Sequence, residues 1–141
     1  MIKFMKIAGI ILALLSIFKI TNLGLNEYKK SYFQDSKNPI EQLKKFNNNQ
    51  SKPTILIFHK EGCSDCKSVV KFVNKELLLN IDKVNYVVVS TNSKSGKALI
   101  HQYSVYKVPT FILFNHNHEI SRYEDTEKNQ ISEIMNGKIL N

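Results

Sequence analysis

The chain has 141 residues and a formal net charge of +8, with 43% hydrophobic and 23% charged residues. That length fits one domain better than two, and the composition excludes a wholly disordered chain and a polytopic membrane protein. Two cysteines, five glycines and three prolines exclude a disulfide-dense mini-fold, a four-thiolate zinc site and a low-complexity chain. Arg122 is the one arginine among 20 basic residues, and the lysines are scattered, so the charge reads as a solvated surface with no nucleic-acid partner.

Lys3 and Lys6 precede the apolar run Ile7–Phe18, in which Ser16 is the one polar residue. A basic start before an apolar core of this length is the pattern of an export signal. No Ala-x-Ala follows Phe18, and continuation through Lys19 to Leu25 brings the segment close to the roughly 20 residues that span a bilayer. The expectation is a signal-anchor over residues 1–25, a single transmembrane helix with the N-terminus inside and the rest extracytoplasmic. Secretion after signal cleavage is the alternative. Residues 26–37 read as a polar, aromatic stalk or irregular lead-in.

Asn38-Pro39 opens a short helix to about Phe46, with Ile40, Leu43 and Phe46 on its apolar face. Thr54–His59 is a strand, broken at Glu61-Gly62. From Cys63 the pattern is helical, with Cys66, Val69, Val70, Val73 and Leu77 on one face. Val84–Thr91 is a second strand, apolar enough to be buried on both sides. Asn92–Gly96 is polar, and Lys97–Tyr103 fits a short helix. Thr110–Phe114 and Glu119–Tyr123 are strands joined as a hairpin through Asn115–His118. Thr126 caps a last helix over Glu127–Met135, with Ile131, Ile134 and Met135 inward and Gly137 at its end. This order is α/β: a βαβ unit with parallel strands, then a hairpin that makes the sheet mixed.

Both cysteines stand at a strand-to-helix junction, in Gly62-Cys63-Ser64-Asp65-Cys66. Thiols at i and i+3 on a first helical turn can close a short disulfide. Unpaired N–H groups at the helix end favour a thiolate on the first of them. Cys63 is then the attacking thiol, and Cys66, one turn in and on the apolar face, the resolving one. Half of a zinc site is the competing reading of the pair. Lys60 and Lys67 favour the thiolate, whereas Asp65 and Glu61 oppose it; His59, four residues before Cys63, is a further tuning candidate. The balance points to a reductase or isomerase more than to a primary oxidase.

Beyond the helices, Tyr103–Glu119 reads YSVYKVPTFILFNHNHE. Together with the Cys-x-x-Cys, this stretch resembles the thioredoxin-like family around its cis-proline. The resemblance covers about residues 38–137 and implies a thioredoxin fold for residues 38–141: a central mixed sheet of about four strands flanked by helices, behind an N-terminal hydrophobic helix. It also implies a redox-active Cys63–Cys66 disulfide and a substrate groove at Val108, Pro109 and Gly62. The implied activity is thiol–disulfide exchange with protein or peptide thiols and disulfides, with an unknown redox partner and no cofactor or metal.

Departures from that pattern are informative. Gly62 stands where thioredoxins carry tryptophan, Ser64-Asp65 replaces Gly-Pro, and Ile57 stands where thioredoxins bury an aspartate that helps move the second cysteine's proton. The short anchor and Gly-Cys-x-Asp-Cys resemble small Gram-positive thioredoxin-like proteins described as bacteriocin transport accessory proteins. An accessory or chaperone-like module in peptide or bacteriocin export, binding without redox turnover, is accordingly the second reading. His116 and His118 flank Asn117 in the hairpin turn and, with the cysteines, offer donor types that zinc accepts. The expected fold puts them at the far end of the sheet, so metal binding is not expected. His101 reads as a helix residue only.

Overall fold

In the computed structural model, residues 11–21, 32–48 and 51–140 are described. Residues 11–21 are helical (α1), exposed throughout, with Ser16 and Thr21 hydroxyls donating back to carbonyls of the preceding turn. Among the described residues no helix is long and apolar enough to cross a membrane. Residues 1–10 and 22–25, which complete the expected signal-anchor, lie outside the described residues, as do 26–31 of the expected stalk.

The remaining elements are α2 (Pro39–Asn48), β1 (Thr54–His59), α3 (Ser64–Leu79), β2 (Asn85–Ser90), α4 (Lys94–Gln102), β3 (Thr110–Asn115), β4 (His118–Tyr123) and α5 (Lys128–Met135). They form one four-stranded sheet in the order β2-β1-β3-β4. β1 runs parallel to β2 and antiparallel to β3, and β3–β4 is the antiparallel hairpin.

Strand alternation divides the core in two. Ile55, Ile57, Phe111 and Leu113 face Val69 and Val73 of α3 and Ile131, Ile134 and Met135 of α5. Leu56, Phe58, Val87, Val89, Ile112 and Phe114 face Leu43 of α2, Leu99 of α4 and Val105. β1 is covered on both faces, which is why its sequence is continuously apolar. Each such buried apolar side chain contributes roughly 1.5–3 kcal/mol, which anchors the strand carrying the cysteine turn.

Several boundaries differ from the sequence expectation. α4 begins three residues earlier, at Lys94, because Ser93 caps it: the Ser93 hydroxyl accepts from the Gly96 N–H at 2.9 Å. Gly96 lies so close to β2 that a Cβ there would meet the Ser90 carbonyl oxygen at 1.9 Å, so a residue that reads as a loop signal is a packing requirement. α5 is capped by Glu127, not Thr126; its carboxylate accepts from the N–H groups of Asn129 and Gln130. Ile40 is 39% exposed, leaving Leu43 as the buried anchor of α2. The hairpin turn narrows to His116 and Asn117, both at positive φ, the backbone that matches strand twist in two-residue turns.

The lead-in before α2 is irregular and docked on the domain. Ser36 donates its N–H to the Val88 carbonyl at 2.8 Å and accepts the Val88 N–H on its hydroxyl at 3.0 Å, closing the free edge of β2 at that point. Phe33 packs against the α3/α5 side of the core.

Candidate active site

β1 ends at His59, and the chain reverses through Lys60-Glu61-Gly62-Cys63, with the Cys63 N–H donating to the Lys60 carbonyl at 3.3 Å. Gly62 adopts φ +79°, a conformation that costs an L side chain about 1–2 kcal/mol. No heavy atom lies within 4 Å of where its Cβ would stand, so the surface beside Cys63 is bare.

Cys63 is the N-cap of α3, with extended backbone. Its sulfur accepts the Cys66 N–H at 3.0 Å, the place a serine or aspartate oxygen usually takes. A backbone donor and the positive end of a helix thus converge on the Cys63 Sγ. On its other side this sulfur faces the Val108 carbonyl oxygen at 3.7 Å. Cys63 is partly exposed and Cys66 is buried, and both thiols are free.

Cys66 lies beneath the helix end, 3% exposed. Burial pushes its thiol from an ordinary 9.0 up to about 12; hydrogen bonding with and charge on Cys63 push the same way, while the Lys60 backbone N–H, aimed at the Cys66 sulfur, opposes them. One thiol is therefore presented at the surface, and the other is buried and holds its proton.

The Val108–Pro109 bond is cis, as the resemblance implies, and Pro109 is buried at the start of β3. β3 runs antiparallel beside β1, with Thr110 opposite Phe58, so the proline arrives at the same sheet end as the cysteines. The Thr110 hydroxyl donates to the Lys107 carbonyl at 2.6 Å, tying down the chain just before the cis bond.

Of the residues singled out as tuning groups, Lys60 reaches the pair through its backbone. Asp65 sits exposed in the first turn of α3, its carboxylate near the Ser64 hydroxyl at 3.5 Å. His59 is engaged elsewhere: its Nε2 lies 2.6 Å from Asp35 Oδ1, and its ring stacks on Phe33 at 4.9 Å between centroids. The sequence reading missed Asp35 and Phe33; an aromatic and an acid in a polar lead-in carry no periodicity that would mark them. His116 and His118 stand exposed at the opposite end of the sheet, and His101 is exposed on α4. Among the described residues no three His, Cys, Asp or Glu side chains gather as a metal site. Arg122 is consumed by Glu119, Glu124 and the Tyr103 carbonyl.

Fold and pair together define an α/β dithiol protein whose two sulfurs differ in exposure, one partly open and one buried. The Thioredoxin family model matches residues 37–137, and the chain belongs to that family. Its fold is shared by thioredoxin from Fasciola hepatica (19% identity, TM-score 0.60, 68% of this chain and 89% of that one). Deadhead, a germline-specific thioredoxin of Drosophila melanogaster, aligns at 16% identity and TM-score 0.63, over 73% and 96% of the two chains. Thioredoxin f2 of Chlamydomonas reinhardtii aligns at 20% identity and TM-score 0.57, over 74% and 94%. Comparison with curated protein sequences returns no match.

Proposed function

We propose that this protein is an extracytoplasmic thiol–disulfide oxidoreductase, tethered by its N-terminal apolar segment, that reduces or isomerises protein or peptide disulfides. The observation that carries the reading is the Cys63 sulfur. It is partly exposed, held 3.0 Å from the Cys66 N–H, and set against the Val108 carbonyl of a cis-proline junction.

The Cys63 thiolate attacks one sulfur of a substrate disulfide. A Cys63–substrate bond forms, the substrate's S–S bond breaks, and the other substrate sulfur leaves and takes a proton. As a thiolate or in a disulfide Cys63 has no hydrogen to donate to Val108, which leaves that carbonyl free for the substrate backbone lying over Gly62. Cys66 gives up its proton and attacks the Cys63 sulfur. The Cys63–Cys66 disulfide forms and the second substrate sulfur departs as a thiol. Two electrons and two protons have passed to the substrate, and a dithiol partner must return them.

Support for export is in the sequence: Lys3 and Lys6 before Ile7–Phe18, continuing toward Leu25. Purified protein with a dithiol reductant is expected to catalyse insulin reduction, and Cys63→Ser to abolish it. Binding of unfolded peptide without turnover would instead favour an accessory role in peptide or bacteriocin export. On whole cells, after mild reduction, an impermeant thiol reagent should label Cys63. Labelling only after lysis would place the domain in the cytoplasm.

A further inference from the structure

The end of the sheet opposite the cysteines carries an apolar tip that the rest of the domain leaves open. α3 starts beside the end of β1 and runs back to where β1 and β2 begin, with the Asn85 N–H donating to the Pro53 carbonyl at 2.9 Å. Its last turn and the residues just after it expose Leu78 (76%), Leu79 (62%) and Ile81 (61%). Leu77, next to them in the chain, packs inward on the core. A single exposed leucine needs no explanation, but three large aliphatic side chains together, rimmed by charge, mark an interaction site.

That rim is basic. Lys75 lies one turn before Leu79 on the same helix stripe. Lys83 follows Ile81 by two residues, and its ammonium donates to the Asn80 side-chain oxygen at 3.4 Å. Lys138 follows Gly137, where an added Cβ would meet Val84 Cγ1 at 3.2 Å, so it stands at the same end of the sheet. All three lysines are exposed, and none pairs with a carboxylate among the described residues. Of the acids here, Asp82 in the turn and Glu133 on α5 are exposed, whereas Glu76 is buried against Asn80 and Ser132.

The lead-in from the N-terminal apolar segment meets the domain on this side of α3. The Tyr32 carbonyl accepts from Asn74 Nδ2 at 3.2 Å, and Asn74 and Leu78 are one turn apart on one face of the helix. Residues 22–31 join that point to α1, whose described side chains are all exposed.

Resting on the tether of the proposed function and not on its disulfide chemistry, we propose that Leu78, Leu79 and Ile81 insert into the interface of an anionic lipid surface, with Lys75, Lys83 and Lys138 against the headgroups. The apolar side chains leave water for the acyl boundary, and the ammonium groups meet phosphates. Sixteen residues of α3, roughly 24 Å of helix, separate this tip from Cys63. The dithiol is thereby held off the bilayer and presented to polypeptides in the aqueous phase.

The chain contains no tryptophan, so a single introduced one reports its own surroundings. The full chain carrying Leu79→Trp is reconstituted into phosphatidylcholine–phosphatidylglycerol vesicles, with and without dibrominated acyl chains. Tyr106→Trp, at a side chain 92% exposed near the cis-proline, reports the cysteine end. Brominated lipid should remove at least about half of the Leu79→Trp emission and less than about a tenth of the Tyr106→Trp emission. Leu78→Trp should behave as Leu79→Trp does, which guards against a folding defect in either. Lys75→Glu with Lys83→Glu should restore most of the Leu79→Trp emission while the chain still floats with the vesicles through its N-terminal segment. Equal quenching at both ends, or no quenching of a vesicle-bound chain at Leu79→Trp and Leu78→Trp, overturns the inference and leaves the tether standing. Blue-shifted emission at the tip without quenching, the sign of cover by α1 or by a second copy, also overturns it. A chain that does not float with the vesicles overturns the tether and this inference with it, and insulin reduction still tests the thiol chemistry separately.

Discussion

Cys66 should be nearly inert to alkylation in the folded, reduced protein. From an ordinary 9.0 up to about 12, its neutral-pH thiolate fraction falls from about one in a hundred to about one in a hundred thousand. Only the thiolate attacks an alkylating reagent, so ionisation alone predicts roughly a thousandfold protection relative to the unfolded chain. At 3% exposure, steric shielding adds to that. Prior reaction of Cys63 should not release the protection, because burial, its largest cause, does not depend on Cys63. The assay is timed iodoacetamide treatment at pH 7 with and without denaturant, each cysteine followed by peptide mass spectrometry. Protection of Cys66 below about tenfold, while Cys63 reacts freely, would refute the assignment of a buried, proton-holding second thiol.

Gly96→Ala should destabilise the domain by at least about 2 kcal/mol in urea unfolding, because its Cβ would meet the Ser90 carbonyl at 1.9 Å and backbone must move. Gly62→Ala meets nothing within 4 Å and should cost only the positive-φ penalty, about 1–2 kcal/mol by the same measurement. Stability should decline in alkali. The Cys66 thiol stays protonated in the fold while the unfolded chain loses its proton above 9.0, so this contribution is complete below about pH 9 and lost by about pH 12. The Tyr86 hydroxyl, which donates to the Met135 carbonyl at 3.0 Å, is raised by burial and then by the charge of Glu76, and acts in the same direction. Urea midpoints measured from pH 8 to 11 should fall, less steeply in Tyr86→Phe; flat midpoints would contradict this.

How much the sequence discloses depends on how each element is held. β1 and β3 are legible because both faces are buried, which forces continuous apolar runs at Thr54–Phe58 and Thr110–Phe114. α3 and α5 are legible because each packs one stripe on the sheet. The cysteine pair is legible as chemistry, since its i, i+3 spacing on a helix tip has few other uses. Pro109 is different: spacing alone does not bring it beside Cys63, and only the resemblance to thioredoxins pointed there. The start of α4 is hidden because Ser93 and Gly96 read as loop residues until the close approach to Ser90 is seen. The Asp35–His59 contact joins residues 24 apart through a segment without secondary structure, and no local pattern encodes it.

The most direct measurement of the central claim is trapping by single-cysteine variants. Cys66→Ser leaves the attacking sulfur at the open end of α3 and removes the one that resolves. It should accumulate mixed disulfides with substrate proteins, seen as thiol-sensitive bands on non-reducing gels and mapped by mass spectrometry to Cys63. Cys63→Ser, with only the buried thiol left, should accumulate none. The reverse pattern, or no adducts from either variant, would contradict thiol–disulfide exchange led by Cys63.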